Sequence, residues 1–390
     1  NDQGILTPED PAPWNNVEPV SDALFADLDG DGRPELILAC ELGPIRIFSR
    51  KDHGWTERTR ALGLEPLTGW WNSVAVGDFD GDGVPDLVAG NRGRNSLVDT
   101  WSPGRTRIFA GDFDHSGIWG VVESAEQEGT LRPLRDRKTL TASIPDLPSR
   151  FPTHTAFANA DVRAVLGPGA GPVLERSAKT QDSVILLNRG DHFDVVPLPV
   201  EAQWSPAFGI AVADFDGDGA QDLFLAQNLF AVRPEDTRMD AGRGLVLRGN
   251  GRGGFTPLPG DRSGVTLYGE QRGAAAGDYD EDGKVDLVVG QNGAATQLLH
   301  NTGGRAGVRV RLVGPPGNPD GIGAVVRPIN AGRPGPAQIV TAGGGYWSQP
   351  SASVVLGGDP PGAVSVQWPD GTKTEVTVPP GAREVRAVHP

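Results

Sequence analysis

Short apolar runs of four to six residues recur along this chain, cut by glycine, proline and acidic turns rather than by long polar stretches. Runs of that length, bounded by turn residues and rich in Val, Ile, Leu and Phe, read as strands. Three segments read as strand, turn and strand: 44–59, 183–198 and 244–258. Nearer the C-terminus the alternation is strict. Val308, Val310 and Leu312 alternate with Arg309 and Arg311, and Val364, Val366 and Trp368 follow the same period of two, the signature of a half-buried strand. Trp368-Pro-Asp-Gly then supplies a turn before a return strand at 374–378. Between 123 and 166 the glycine punctuation thins. Leu140, Ile144, Leu147 and Phe151 stand at helical spacing, limited by Pro145 and Pro148, and a second weak helical stretch runs from 155 to 166. These features predict a small helical insertion over about 123–180, either a projecting recognition surface or a packing cap.

Four segments align without gaps: DLDGDGRPE at 27–35, DFDGDGVPD at 78–86, DFDGDGAQD at 214–222 and DYDEDGKVD at 278–286, each followed by an apolar run. Aspartates at the first, third and fifth positions can aim their carboxylates at one centre as the chain coils. Glycine at the sixth permits the bend, the seventh residue offers its backbone carbonyl, and an acid at the ninth closes the shell. Hard oxygen donors in that number suit Ca2+. The expected ligands are Asp27, Asp29, Asp31, Arg33 (carbonyl) and Glu35 in the first loop, and Asp78, Asp80, Asp82, Val84 (carbonyl) and Asp86 in the second. The third has Asp214, Asp216, Asp218, Ala220 (carbonyl) and Asp222, and the fourth Asp278, Asp280, Asp282, Lys284 (carbonyl) and Asp286. A fifth copy, DFDHSGIWG at 112–120, keeps Asp112, Asp114 and the glycine but loses the other acids, so it is expected to hold metal poorly.

An EF-hand needs a glutamate at the twelfth position. Leu38, Ala89, Leu225 and Val289 stand there instead, so the loops are expected to join strand to strand. Their first aspartates, with the degenerate Asp112 included, lie 51, 34, 102 and 64 residues apart. A four-stranded propeller blade takes about 40–50 residues, and the wide gap then holds either a loop-less blade or an insertion. The expected fold is all-β: a β-propeller of about six or seven blades over 1–302 and a small β-sandwich over 303–390.

Composition narrows the chemistry. The 50 Asp and Glu residues against 35 Lys and Arg give a formal net charge of −15, which disfavours nucleic acid as a partner and favours cations. Four Ca2+ ions would bring that charge to about −7. Cys40 is the one cysteine and reads as a small buried hydrophobe. No apolar run reaches the length of a membrane span. The chain opens at Asn1 with no Met and no signal-like stretch, which fits a processed form or a segment of something longer.

The acidic loops resemble the FG-GAP or VCBS repeats of integrin-α-like propellers over residues 21–302. The segments at 307–314, 320–329, 341–349 and 364–378 are similar to the ASPIC/UnbV domain, which follows such propellers in bacterial proteins resembling cartilage acidic protein. The segments at 69–83 and 202–219 also look like blade sequences of large multi-propeller members. The resemblance implies an extracytoplasmic protein, periplasmic, surface-bound or secreted.

Six scattered histidines, at 53, 115, 154, 192, 300 and 389, give no metalloenzyme spacing, and no nucleophile elbow or phosphate-binding glycine loop occurs. Two readings of function stay open. One is a binding, adhesion or scaffold protein that engages a protein or glycan; the other is a carbohydrate-active lyase or hydrolase on a propeller. His115, Trp119 and His154 could line a pocket near the insertion. Trp70-Trp71 and Tyr346-Trp347 could stack on sugar rings or belong to the core.

Overall fold

The computed structural model describes residues 13–51, 54–96, 106–168, 171–234 and 236–390. His53, and the turn of the first outer hairpin on which it lies, fall outside them, as does Asn1.

Strands dominate, as the alternating pattern dictates. Sheet I takes Val20–Ala26, Glu35–Gly43, Arg46–Lys51 and Gly54–Glu57 in chain order, with Gly69–Trp70 added against its second strand. Sheet IV repeats that plan with Ala207–Ala213, Asp222–Gln227, Leu245–Gly249 and Phe255–Leu258, and sheet V with Glu270–Gly277, Asp286–Asn292 and Gln297–Leu299. Sheet II is split. Its inner hairpin is Ser73–Gly77 and Asp86–Gly90, but its outer hairpin, Val184–Asn188 and Phe193–Pro197, arrives only after a long excursion.

That excursion builds sheet III from Thr106–Gly111, Gly120–Gln127, Thr130–Pro133 and Leu174–Ala178. Four short helices, Arg137–Thr141, Leu147–Arg150, His154–Ala158 and Val162–Leu166, cover it. Asp136, Thr153 and Asp161 cap three of them with their side chains. Leu140, Ile144, Leu147, Phe157 and Val165 bury against Phe109 and Val122, so the helices cap a core of their own. The inserted body therefore begins earlier than the 123 expected from the sequence, because the degenerate loop at Asp112 is the turn of its central hairpin.

Sheets I, II, IV and V stack face to face through their inner strands, in that order. The side-chain period of two carries this stacking. In sheet II, Val74, Leu87 and Leu186 face a core shared with Leu24 and Ile37 of sheet I, whereas Ala75, Val88 and Ile185 face Ile210, Leu223 and Leu245 of sheet IV. In sheet IV, Phe224 and Val246 turn the other way, onto Ala274, Leu287 and Val289 of sheet V. Sheets covered on both faces read as continuous apolar runs, and the inner pair of sheet II is buried throughout. This is propeller-type packing. Among the described residues four sheets stack in this series, against six or seven blades expected, because the stretch between Gly90 and Val184 builds the inserted body. Cys40 is fully buried, and burial pushes its thiol up to about 12.

The tail folds as two facing sheets around Val310, Val326, Val364, Val366 and Trp368. One sheet joins Val308–Val313 to Val354–Leu356 and, in parallel, to Glu384–Val388. The other centres on Val325–Asn330 and Ala363–Gln367. The tail segment 341–351 leaves this sandwich and lies against all four inner strands. Tyr346 N–H donates to Asp22 of sheet I (2.8 Å) and Gly345 N–H to the Val74 carbonyl of sheet II (2.9 Å). Ile210 N–H of sheet IV donates to the Gly345 carbonyl (3.1 Å) and Ala274 N–H of sheet V to Ser348 Oγ (2.9 Å). The inner strands shift register next to Asp22, Ile210 and Ala274, and such irregularities free ladder groups for other partners.

Gly345 has φ of +67°, and a Cβ there would lie 2.0 Å from the Ile210 carbonyl oxygen. Positive φ alone costs about 1–2 kcal/mol for an L side chain, and the collision adds to it. Gly345→Ala is expected to lower the unfolding midpoint of the whole chain by several degrees; an unchanged melt would show that this segment does not hold the blades together.

Candidate metal centres

Each acidic loop is the turn of an inner hairpin, and the register is identical in all four. The residue before the first aspartate pairs with the ninth-position acid: Ala26 with Glu35, Gly77 with Asp86, Ala213 with Asp222, Gly277 with Asp286. A strand follows every loop, as the apolar twelfth position requires.

The loop backbone folds onto its own carboxylates. The sixth-position glycines, with φ between +83° and +96°, turn the chain. Gly32, Gly219 and Gly283 there donate N–H to Asp27, Asp214 and Asp278 at 2.9, 2.8 and 3.0 Å. In the second loop Gly81 donates to Asp78 at 2.9 Å. The ninth-position acid accepts from the second residue of its loop: Leu28 to Glu35, Phe79 to Asp86 and Phe215 to Asp222 at 2.9 Å, and Tyr279 to Asp286 at 3.2 Å.

Carboxylate oxygens converge within 4.8 Å in each loop: Asp27, Asp29 and Glu35; Asp78, Asp80 and Asp86; Asp278, Asp280 and Asp286; and, in the third, Asp214, Asp216 and Asp218. Asp222 stands beside the third group, where the Asp216 and Asp214 charges act on it. Asp31, Asp82 and Asp282 lie outside their loops' groups and accept the amides of Arg33, Val84 and Lys284 at 2.8, 2.7 and 2.8 Å; Asp218 accepts that of Ala220 at 2.9 Å. The fifth copy gathers no such group among the described residues. Asp112 accepts from Ser116 and Gly117 at 3.0 and 2.9 Å on an exposed turn, which satisfies it locally.

Crowded, half-sequestered carboxylates resist ionisation. Burial pushes Glu35, Asp86 and Asp222 up to about 7 and Asp214 up to about 6, and neighbouring acids of the same loops add to the rise. Asp27, Asp78 and Asp278 are raised by the same cause. The Oδ1 of Asp278 is buried with no hydrogen-bond partner. Donor chemistry and shortage of positive charge both fit a hard divalent cation.

Sequence reasoning missed the basic groups that stand on these loops. Arg189 reaches Asp80 at 2.6 Å, Arg248 reaches Asp216 and Asp218 at 2.5 and 2.8 Å, and His300 lies 3.1 Å from Asp280. His300 forms a further group with Asp280 and Asp282. Arg189 and His300 follow the third strand of a blade and Arg248 lies within one, all far along the chain from the loop they serve. Beside two of them, Asn188 Nδ2 donates to the Leu28 carbonyl of the first loop (2.8 Å), and Asn301 Nδ2 to Phe215 of the third (2.7 Å). Gly253 N–H donates to Phe79 of the second (2.8 Å). The second residue of one loop is thereby tied to the next blade, three times over. The LNRG and HNTG stretches at 187–190 and 300–303 were the readable signal for two of these ties.

The tail meets the loops as well. Ala337 N–H donates to Asp78 (2.7 Å), and Arg327 donates to the Gly83 carbonyl. Gly358 and Arg305 N–H donate to the Gly217 and Asp216 carbonyls at 3.0 Å, and Gly307 N–H to Gly283 at 2.8 Å. Arg309, expected on the outer side of its strand, is buried and lies 3.1 Å from Glu281 and 3.8 Å from Asp278. At the first loop, Gly32 faces the Pro369 carbonyl.

The matches to protein families agree with these two halves. Residues 27–89 match an FG-GAP-like repeat and residues 314–390 match the ASPIC and UnbV family. The chain carries an FG-GAP-like repeat and a C-terminal ASPIC and UnbV domain. No curated protein matches it. Among solved structures, BBS1N in complex with ARL6DN is 10% identical over 94% of each chain, with a TM-score of 0.28. The Vibrio cholerae biofilm matrix protein Bap1 is 15% identical over 93% of this chain and 49% of its own (TM-score 0.20). The exotype rhamnogalacturonan lyase YesX is 14% identical over 94% and 72% (TM-score 0.26). At such scores none of the three bears on this chain's function.

The aromatic pairs divide. Trp71 is fully buried, Trp70 lies under the Arg92 guanidinium at 4.5 Å, and Trp347, 82% exposed, stacks on Tyr346 at 5.0 Å. Both Tyr346 and Trp347 have positive φ. His115 and Trp119 sit on the exposed turn of sheet III and line no cavity with His154.

The raised carboxyls set a pH dependence. An acid whose folded-state value lies above its unfolded one leaves the folded chain binding more protons, here between about pH 4 and pH 7. In chelator, the unfolding midpoint is therefore expected to rise as pH falls from 8 to 6. A midpoint that stays level or falls would mean these carboxylates carry no unrelieved charge.

Proposed function

We propose that this chain is a calcium-stabilised extracytoplasmic binding or scaffold protein, with a propeller over residues 1–302, interrupted by an inserted body, and a β-sandwich over 303–390 seated on the loop face. The observation that carries this reading is the fourfold repetition of a partly buried carboxylate cluster that lacks enough positive charge. Arg189, Arg248 and His300 on the blades, and Arg309 from the tail, stand against part of that charge. A bound Ca2+ supplies two positive charges to each cluster. The first-, third- and ninth-position carboxylates form the inner ligand set, and the fifth-position carboxylate and seventh-position carbonyl complete it on small rearrangement.

Loops with this donor set fill readily at extracellular calcium concentrations, which supports an extracytoplasmic setting. Among the described residues no helix is long and apolar enough to cross a membrane. Repeated blades held rigid by metal present loops in fixed geometry, a general requirement of binding scaffolds. The exposed Tyr346–Trp347 stack, on strained backbone beside the inner strands, supports engagement of a protein or glycan partner there.

Thermal melts in millimolar calcium and in chelator test the reading. The midpoint is expected to fall sharply in chelator. Asp80→Ala should lose part of the calcium-dependent rise while melting close to the parent chain in chelator. Coincident melts with and without calcium would sink the proposal.

A further inference from the structure

A cavity of about 540 Å3 lies between the inserted body and the segments that follow the inner hairpins of sheets II and IV, a volume typical of small-molecule sites. Three bodies build its wall: Arg92 beyond the inner hairpin of sheet II, Arg132 and Arg135 at the edge of sheet III, and Asp236 and Met239 in the excursion after Gln227. His154 and Phe157 close it from a helix of the insertion. Arg135 joins two of these bodies by binding Glu123 at 2.6 Å and Asp236 across the gap. Both carboxylates also act on Arg92 through space.

Arg92 and Arg132 are not satisfied in this way. Each has a buried Nε with no hydrogen-bond partner. The Arg92 guanidinium lies flat over Trp70, which holds its plane but accepts none of its in-plane donors. Arg132 stands 4.0 Å from Glu128. Burial pushes the Arg92 guanidinium below its ordinary value, with Glu123 opposing that shift and Arg135 reinforcing it. A guanidinium sunk in a wall with unmet donors is a ready oxyanion receptor, because carboxylate and sulfate oxygens match its fork. The site is also cationic in a chain whose net charge is −15.

We infer that this cavity binds an acidic saccharide, a sugar bearing a carboxylate or sulfate group, with Arg92 and Arg132 gripping the anion. The space exceeds what a lone oxyanion fills. Apolar Phe157 and Met239 stand among polar groups such as Asn95 and Gln127, a mixture that suits the faces and hydroxyls of a sugar ring. The inference rests on the binding-protein reading and narrows its ligand; melting in calcium tests that reading separately.

Calorimetric titration of the calcium-loaded chain tests the site, with digalacturonate, a sulfated disaccharide, cellobiose and inorganic sulfate as probes. At least one acidic disaccharide is expected to bind ten-fold or more tightly than cellobiose and than inorganic sulfate, and whichever binds identifies the anion. Arg92→Met and Arg132→Met should each weaken that binding at least ten-fold without moving the melting midpoint in calcium. Equal affinity for cellobiose, equal affinity for inorganic sulfate, no binding of either acidic disaccharide, or full affinity in both variants would overturn the inference.

Discussion

Charge crowding at four acidic turns is the constraint around which this chain is arranged. Three turns bring first-, third- and ninth-position carboxylates together, and the third turn its first-, third- and fifth-position ones, each at the end of an inner hairpin. The turns can neither splay apart nor sink further without breaking the hairpin register. Their own amides orient the carboxylates, and a few basic groups, Arg189, Arg248, Lys284, His300 and Arg309 among them, stand close to them. Seen this way, the −15 of the whole chain is largely a local matter of these four points.

The loops are also where the molecule is joined. The second residue of one loop accepts a hydrogen bond from the next blade, through Asn188, Gly253 or Asn301. The C-terminal sandwich touches every loop and sends residues 341–351 across the inner strands of sheets I, II, IV and V. Tail and blades share the same carboxylates: Asp78 belongs to a cluster and also receives the Ala337 amide. Gly357 lies so near Asp214 that a Cβ there would come 1.9 Å from its Oδ2. Anything that shifts the loops shifts the seat of the tail.

Much of this was legible because it is local. The nine-residue acidic spacing, the apolar twelfth position and the period-2 strands of the tail need only nearby residues to be read. The rest depends on pairings far apart in sequence. Leu87 pairs with Leu186 across the inserted body, so the spacing of loops could not by itself separate a blade from an insertion. The degenerate loop at Asp112 keeps enough side chains to cap its own turn, and so was visible as a repeat although it lies in the insertion. Trp71 and Trp347 look alike as sequence, yet one is core and the other exposed, because the three glycines before Tyr346 carry that segment to the inner strands. Arg189, Arg248 and His300 lie in or just beyond the third strand of their blades, and only the blade fold brings them to their loops.

Hydrogen exchange at the Ala337, Gly345 and Tyr346 amides, followed through a calcium titration, tests the central claim most directly. If loop charge governs the seating of the tail, these amides will exchange slowly in saturating calcium and become exposed together as the ion is withdrawn, before the inner strands open. Protection that is the same with and without calcium would contradict the account.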